Sequence, residues 1–536
     1  MRAADYMVAC LEANGVERIY GVPGEENADL MLALKSSSID FVMTRHEQAA
    51  AAMAAAAGRL TGSPGICLAT LGPGASNLAT GLGTAHLDFC PVIAITGQGA
   101  TSRMHKESHQ LVDTGTMLKP VCKWTATITA PEMIGEIVSQ AFGEALGEKP
   151  GVAHIVLPED VAGQDISAEL QPIPHQPFEA PIAQTKGIES AVELLENARH
   201  PIALIGAEAV RSNAGNALRS LSGVTQLHVA TTMMAKGIID EHSPSSLSTF
   251  GVPEDDPLQD ALDRADLIMA IGVDPVEYPA SKWNNDTNRP LIHVSAHPAQ
   301  LERAYQPCLQ IVGDIDASIQ SMTLMLAEQG LNLHSSMLAE MRTAIHAAKK
   351  PTAGDTARSP RAIIQSLNET LGADDILFVG VGAHKMWMAR CFAAQNPAAC
   401  LITNGYTSMG VALPGAIAAA QLNPDKRVYA LCGDGDFMMN VQEMETAKRL
   451  GANLTVIGWF DDAYSLIEHK QDKEHDSHSD LRVDNPDWCA LAQSFGWAHI
   501  GVDDATPLSD ALRDAAQQQG PVLISVPVDQ SDNTAL

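Results

Sequence analysis

Short apolar runs of strand length recur along the chain between longer amphipathic stretches, and this alternation limits what it can fold into. The runs fall at residues 66–69, 92–96, 154–157, 202–205, 267–271, 291–294, 376–379, 428–432, 454–459 and 522–526. Strands that alternate with helices imply parallel α/β sheets. The 536 residues are too many for one hydrophobic core, and at about 100–200 residues per domain roughly three units are expected. Regular periodicity lapses at two Pro-rich breaks, residues 171–181 and 349–360. The expected architecture is therefore α/β, with three doubly wound parallel-sheet domains at 1–170, 182–345 and 355–536. The first and third units close on similar phrases, Gly151-Val152-Ala153-His154-Ile155-Val156-Leu157-Pro158 and Gly520-Pro521-Val522-Leu523-Ile524-Ser525-Val526-Pro527, which hints at duplication.

Composition narrows the function classes. A formal net charge of −30 disfavours nucleic acid and anionic membrane surfaces, because both would be repelled. With 46% hydrophobic and 18% charged residues, the chain has the composition of a packed globular protein. Its nine cysteines include no Cys-x-x-Cys pair and several lie in apolar runs, as core residues in a reducing compartment would. No secretory signal or spanning stretch is read at the start of the chain, so a cytoplasmic location is expected.

The third unit carries the clearest chemistry. The apolar run 428–432 stops at Gly433-Asp434-Gly435-Asp436, ahead of a helical stretch at 440–450. A glycine turn between strand and helix lets backbone N–H groups approach a phosphate, and Asp434 projects at the carboxyl end of its strand. An Asp would repel a bare phosphate, so a bridging divalent cation is implied, and hard carboxylate oxygens suit Mg²⁺. The next apolar run ends in Phe460-Asp461-Asp462-Ala463-Tyr464, with Asp461 lying 27 residues after Asp434. Adjacent parallel strands joined by one helix would bring Asp434 and Asp461 to one sheet edge, as a shared metal requires. Asp462 reads as a solvated turn carboxylate. The polar stretch 468–480, with His469, His475 and His478, reads as a solvated loop near the site entrance.

Gly433-Asp434-Gly435 followed by the Asp461 group resembles the signature of the thiamine-diphosphate enzyme family. The resemblance implies Mg²⁺ held by Asp434, Asp461 and the backbone carbonyl of Ala463. The family usually has Asn at the second ligand position, and the catabolic acetolactate synthases are similar to this chain in having Asp there. It also implies that Gly382, Ala383 and His384, Gly433, Gly435 and Asp436, and Tyr464, Ser465, Leu466 and Ile467 surround the cofactor. Asn404-Gly405-Tyr406-Thr407-Ser408-Met409-Gly410 resembles the segment that wedges between the cofactor's two rings, with Met409 as the wedge and Thr407 beside it. The three units would then be pyrimidine-binding, central and diphosphate-binding domains.

In the first unit, Arg45-His46-Glu47 leads from a short strand into an Ala-rich helix. By itself a glutamate in a first turn caps the helix dipole. The resemblance gives Glu47 a further role, hydrogen-bonding a ring nitrogen of the aminopyrimidine so that the cofactor can lose its thiazolium proton. Pro23, Pro73 and Asn77 resemble family residues in turns around that ring. Because Glu47 and Asp434 belong to different sheets, the resemblance implies a site completed between subunits of a homodimer or homotetramer.

Over residues 1–530 the chain looks most like the catabolic, flavin-independent acetolactate synthases, so no FAD is expected. His109-Gln110 followed by Asp113 and the segment 265–278 carry that likeness. Glu25-Glu26-Asn27 and Tyr406-Thr407 depart from it, replacing a Lys and a Gln pair. The resemblance implies decarboxylation of pyruvate and condensation of the enamine with a second 2-keto acid, with His109 and Gln110 polarising substrate oxygens and Leu466 and Ile467 forming an apolar wall. Three alternatives stay open: a 2-keto acid decarboxylase or another carboligase, a non-catalytic nucleotide-binding homologue, and a flavin or nucleotide sensor in the middle unit.

Overall fold

The computed structural model describes residues 1–529 apart from 148, 179, 252–256, 287 and 504; residues 530–536, assigned above to the third unit, lie outside the described residues. The first sheet is built from β1 (Arg18–Gly21), β2 (Asp40–Met43), β3 (Gly65–Ala69), β4 (Val92–Gln98), β5 (Trp124–Thr127) and β6 (Val152–Pro158). The second contains β7 (Pro201–Ile205), β8 (His228–Thr231), β9 (Ser246–Thr249), β10 (Leu267–Ile271), β11 (Leu291–Ser295) and β12 (Leu309–Val312). The third contains β13 (Ile376–Val379), β14 (Leu401–Ile402), β15 (Val428–Gly433), β16 (Leu454–Phe460), β17 (Ala498–Gly501) and β18 (Val522–Pro527).

Pairing is parallel throughout the three sheets, in the orders β2-β1-β3-β4-β6-β5, β12-β11-β10-β7-β8-β9 and β14-β13-β15-β16-β18-β17. The first and third orders are the same pattern, each strand of the third unit numbered twelve above its counterpart in the first, and the similar closing phrases are β6 and β18 in equivalent positions. Central strands such as β4, β7, β10 and β16 are buried along their whole length because helices cover both faces. Each apolar side chain sealed there contributes about 1.5–3 kcal/mol. Among the described residues no helix is long and apolar enough to cross a membrane.

One apolar cluster is shared by the first and third units. It joins Ala50–Ala57 and Leu78–Ala85 regions of the first to Leu413, Ile417 and Phe437 of the third. The helices that meet there, Glu47–Thr61, Gly72–Leu87 and Ala412–Leu422, are rich in Ala and Gly, which lets their backbones approach closely. A Cβ added at Gly81 would lie 2.5 Å from Ala51 Cβ and 2.8 Å from the Gln48 carbonyl oxygen.

Two local expectations need correcting. The polar stretch at 468–480 is not simply a loop, because Ser465–His475 is a helix ended by Asp476 in the left-handed region. Its Glu, Lys, Gln and Leu favour helix by propensity, while its exposed faces carry no apolar stripe to reveal it. His475 and His478 stay exposed, and His478 Nδ1 pairs with Asp472 at 2.8 Å. The helix expected at 440–450 is shorter, Glu443–Arg449, and a separate turn, Asp434–Met438, precedes it. Asn440 sits between them and donates its side-chain N–H to the Gly410 carbonyl at 2.6 Å.

Gly81→Ala tests the close approach of the helices. The helix-propensity gain of about 1 kcal/mol competes with an overpacking cost of about 1–3 kcal/mol. The clash against Ala51 and a backbone carbonyl should win, so chemical unfolding should show net destabilisation.

Candidate active site

Loops at the carboxyl edge of the third sheet converge because β15 and β16 pair in register up to Gly433↔Trp459. Asp434 and the turn after Phe460 therefore leave the sheet side by side. Asp434 Oδ2 accepts from the backbone N–H of Asp462 at 2.7 Å and from Asn485 Nδ2 at 2.9 Å, and its Oδ1 accepts from the Gly435 N–H at 2.8 Å. Asn485 also donates to Asp462 Oδ1 at 2.7 Å, so one side chain clamps both turns. Asp461 Oδ2 accepts from Ser465 Oγ at 2.7 Å. Burial, reinforced by the charges of Asp434 and Asp462, pushes Asp461 up to about 7 against the hydrogen bonds that favour its ionised form.

Ala463 faces Arg482 across an isolated antiparallel bridge. The neighbouring bonds run from the Tyr464 N–H to the Leu481 carbonyl (3.1 Å) and from the Val483 N–H to the Asp462 carbonyl (2.9 Å). In such a non-hydrogen-bonded pair the carbonyl of the central residue points away from the ladder, which leaves the Ala463 oxygen aimed outward.

Positive potential enters the same edge from two helices. Ala383–Cys391 begins after Gly382 and Ser465–His475 begins after Tyr464, and neither has a side-chain cap. Their first N–H groups and helix dipoles are thus available to an anion. The glycine turn keeps the floor open: a Cβ on Gly433 would lie 3.1 Å from the His384 ring, and one on Gly435 2.9 Å from the Tyr464 ring. His384 is buried and held near 3 by that burial, with Lys385 adding to it. Its Nε2 has no hydrogen-bond partner among the described residues. An anionic oxygen there would favour the protonated ring and make a charge-assisted bond.

These groups line a cleft of about 120 Å³. It is lined by Gly382, Ala383, His384, Met409, Gly433, Asp434, Gly435, Asp436, Asp461, Ala463, Tyr464, Ser465, Leu466 and Ile467, all singled out from the sequence. Val381 and Trp459 also line it and were not foreseen. Asp436 acts partly as a brace, its Oδ1 accepting from the N–H groups of Gly410 (2.7 Å) and Val381 (3.4 Å), while burial raises its carboxyl to about 6. Thr407 has a left-handed backbone, φ 58°, and is not among the lining residues. A larger cleft of about 380 Å³ between the first and second units is lined by Arg59, Asp88, Phe89 and Arg211, among others, but it has no paired carboxylates.

The first-unit candidates gather elsewhere. Glu47 opens its helix 8% exposed, and its Oε2 accepts from Asn77 Nδ2 at 3.0 Å. Pro73 lies in the first turn of the helix Gly72–Leu87, and Pro23 follows β1 by two residues. His109 and Gln110 are exposed in the loop beyond β4, with the His109 carbonyl accepting from Arg103 at 3.4 Å. None of these lines the third-unit cleft. Sequence reading missed Asn485, an isolated polar residue in a polar loop with no motif to mark it.

The donor chemistry fits a diphosphate bound with a divalent cation: two carboxylates and a free carbonyl on one side, uncapped helix starts, glycines and an unpartnered imidazole nitrogen on the other. With the fold, this defines a protein of the thiamine pyrophosphate enzyme class. The family models for the N-terminal TPP binding domain, the central domain and the C-terminal TPP binding domain of thiamine pyrophosphate enzymes match residues 1–117, 188–322 and 380–526. The chain is 33% identical to the acetolactate synthase of Bacillus subtilis (strain 168), covering 100% of this chain and 94% of the relative. It is 32% identical to the catabolic acetolactate synthase of Raoultella terrigena (99% and 96%) and 29% identical to the acetolactate synthase isozyme 2 large subunit of Escherichia coli (strain K12) (99% and 96%). The chain belongs to the thiamine-diphosphate-dependent enzymes, within the acetolactate synthase branch.

Gly433→Val should weaken thiamine diphosphate binding at least about tenfold, or about 1.4 kcal/mol, because the added side chain meets His384 across the cleft floor. Calorimetric titration checks this, and the far-ultraviolet circular dichroism of the variant should stay that of the parent.

Proposed function

We propose that this chain is a cytoplasmic, Mg²⁺-dependent carboligase that decarboxylates pyruvate and joins the two-carbon fragment to a second 2-keto acid, releasing acetolactate. The observation that carries the reading is the cleft where Asp434 and Asp461 face uncapped helix starts, in a chain similar over its full length to acetolactate synthases.

In this reading Asp434, Asp461 and the Ala463 carbonyl would hold Mg²⁺. Among the described residues no group of three or more His, Cys, Asp and Glu side chains could hold a metal, so the remaining ligands would come from the diphosphate and water. The amides following Gly382 and Gly433 and the His384 ring would hold the diphosphate, and Met409, next to Gly410 that Asp436 and Asn440 fix, would support the cofactor's rings. When bound, thiamine diphosphate supplies an electron sink for the carbanion left by loss of CO₂.

The remaining work belongs to the protein. Glu47 exchanges a proton with a pyrimidine ring nitrogen, and Asn77 orients its carboxylate. Because Glu47 stands outside the cleft of its own chain, it serves the cleft of a second copy, making a homodimer the smallest active assembly and allowing a homotetramer. Leu466 and Ile467 exclude water from the reacting carboxylate, and His109 and Gln110 orient the substrate oxygens.

One feature favours a second reading. Glu26 Oε2 accepts from Thr70 Oγ1 at 2.7 Å at the sheet edge that carries Glu47. A carboxylate there disfavours an anionic acceptor, so a plain decarboxylase or a carboligase for an uncharged aldehyde is the alternative. Incubation with pyruvate, thiamine diphosphate and Mg²⁺ separates them: acetolactate supports the first reading, and acetaldehyde or acetoin without acetolactate overturns it.

Glu47→Gln should lower kcat by about 10²–10⁴-fold with cofactor affinity nearly unchanged. Asp434→Ala should instead abolish Mg²⁺-dependent cofactor binding. Titration of both variants with thiamine diphosphate, alongside turnover, distinguishes the two roles.

A further inference from the structure

The turn that carries Glu47 is held from the third unit of the same chain. Glu443, at the start of the helix Glu443–Arg449, is 0% exposed. Its Oε1 accepts from the backbone N–H groups of Arg45 and His46, both at 3.1 Å, and its Oε2 accepts from Arg45 N–H at 3.3 Å and from Thr446 Oγ1 at 2.5 Å. These residues lie almost 400 positions away in sequence. Around this centre Arg45 Nε donates to Glu445 Oε2 at 2.8 Å, Arg449 donates to the Met43 carbonyl, and Gln48 Nε2 donates to the Met409 carbonyl at 3.4 Å.

Burying a carboxylate is unfavourable unless donors surround it. Here the donors are two main-chain amides immediately before Glu47, with Thr446 fixing the carboxylate from below. The turn has other ties: Thr44 N–H to the Gly21 carbonyl (2.9 Å), Thr44 Oγ1 to the His46 carbonyl (3.1 Å), and Gln48 N–H to His46 Nδ1 (3.1 Å). None of these takes up the amides of Arg45 and His46. Without Glu443 both would be left unpaired at the base of the helix that aims Glu47.

We infer that Glu443 is a positioning residue for the proton relay: by accepting from the Arg45 and His46 amides it sets the direction in which Glu47 leaves its helix. The inference rests on the proposed role of Glu47 and adds to it. Glu443 itself is not among the residues that line the cleft.

The test uses the holoenzyme carrying Glu443→Met, which keeps the bulk and removes the acceptors, and Glu443→Gln, which keeps an acceptor for the amides. Glu443→Met should lower kcat about 10–100-fold, the size expected when a reacting group is displaced by about 1 Å. The rate at which bound thiamine diphosphate exchanges its thiazolium proton for deuterium should fall in parallel, with KM for pyruvate and cofactor affinity within about threefold of the parent. Glu443→Gln should restore most of both rates. In the cofactor-free protein, amide hydrogen exchange over residues 44–48 should rise in Glu443→Met. A merely structural contact would lower the unfolding midpoint and leave the proton-exchange rate alone. A folded Glu443→Met enzyme with parental kcat and proton exchange overturns the inference; if that variant does not fold, Glu443→Asp, whose shorter side chain withdraws from both amides, carries the same test with the same reading of a parental rate. Glu47→Gln is the control: parental turnover there would overturn the relay itself, whereas an inactive Glu47→Gln beside an unaffected Glu443→Met overturns only the positioning role.

Discussion

The parallel pairing of β15 with β16 is the constraint on which the third unit's chemistry depends. Its register brings Gly433 opposite Trp459, so the residues that follow each strand emerge as neighbours. A slip of one residue would send every side chain of one strand to the opposite face and carry Asp461 away from Asp434. Strand pairing alone leaves two loops free to diverge. The bond from the Asp462 N–H to Asp434 and the double donation by Asn485 close that gap, tying the second loop to the first through the side chain that begins the glycine turn.

The cleft is electrostatically mixed, and that mixture decides what it can hold. Two carboxylates at short range repel each other, and burial raises Asp461 to about 7, which marks the pair as unfavourable without a cation. Opposite them stand helix starts without caps and a buried, unpartnered imidazole nitrogen, which favour an anion. A lone cation would leave the helix starts unsatisfied and a lone phosphate would meet the carboxylates. A ligand that brings both charges together satisfies both sides. The overall charge of −30 says little about this local balance, because surface charges more than about 8–10 Å away are largely screened.

Much of this was legible because buried central strands write themselves as unbroken apolar runs. All ten runs singled out from the sequence fall in strands of the three sheets. The edge strands β5, β9, β12, β14 and β17 escaped, being short or partly exposed, and the internal strands β1 and β8 escaped because each is only four residues long and begins with a polar residue. The exposed helix Ser465–His475 escaped for the complementary reason, having propensity without periodicity. Fourteen of the candidate residues line one cleft because they belong to loops that follow strands at a single sheet edge. Asn485 and Glu443 left no trace in the sequence, since their roles come from hydrogen bonds to chain segments far away. A motif reports the groups that meet a ligand more readily than those that hold them there.

The equivalent strand orders of the first and third units give the molecule two similar carboxyl edges with different equipment. One edge has the glycine turn and paired carboxylates; the other has Glu47, held by Asn77. Their shared apolar cluster packs through Ala- and Gly-rich helices, where backbones are close and little side-chain bulk absorbs a shift. Glu47 and Gln48 are consecutive, yet the first points along its own sheet edge and the second bonds the Met409 carbonyl at the rim of the other unit's cleft. The segment that carries Met409 is therefore tied to the residue next to Glu47. The two edges are thus joined within one chain by this bond and by Glu443, whose buried carboxylate is offset by the amides of Arg45 and His46 and by Thr446.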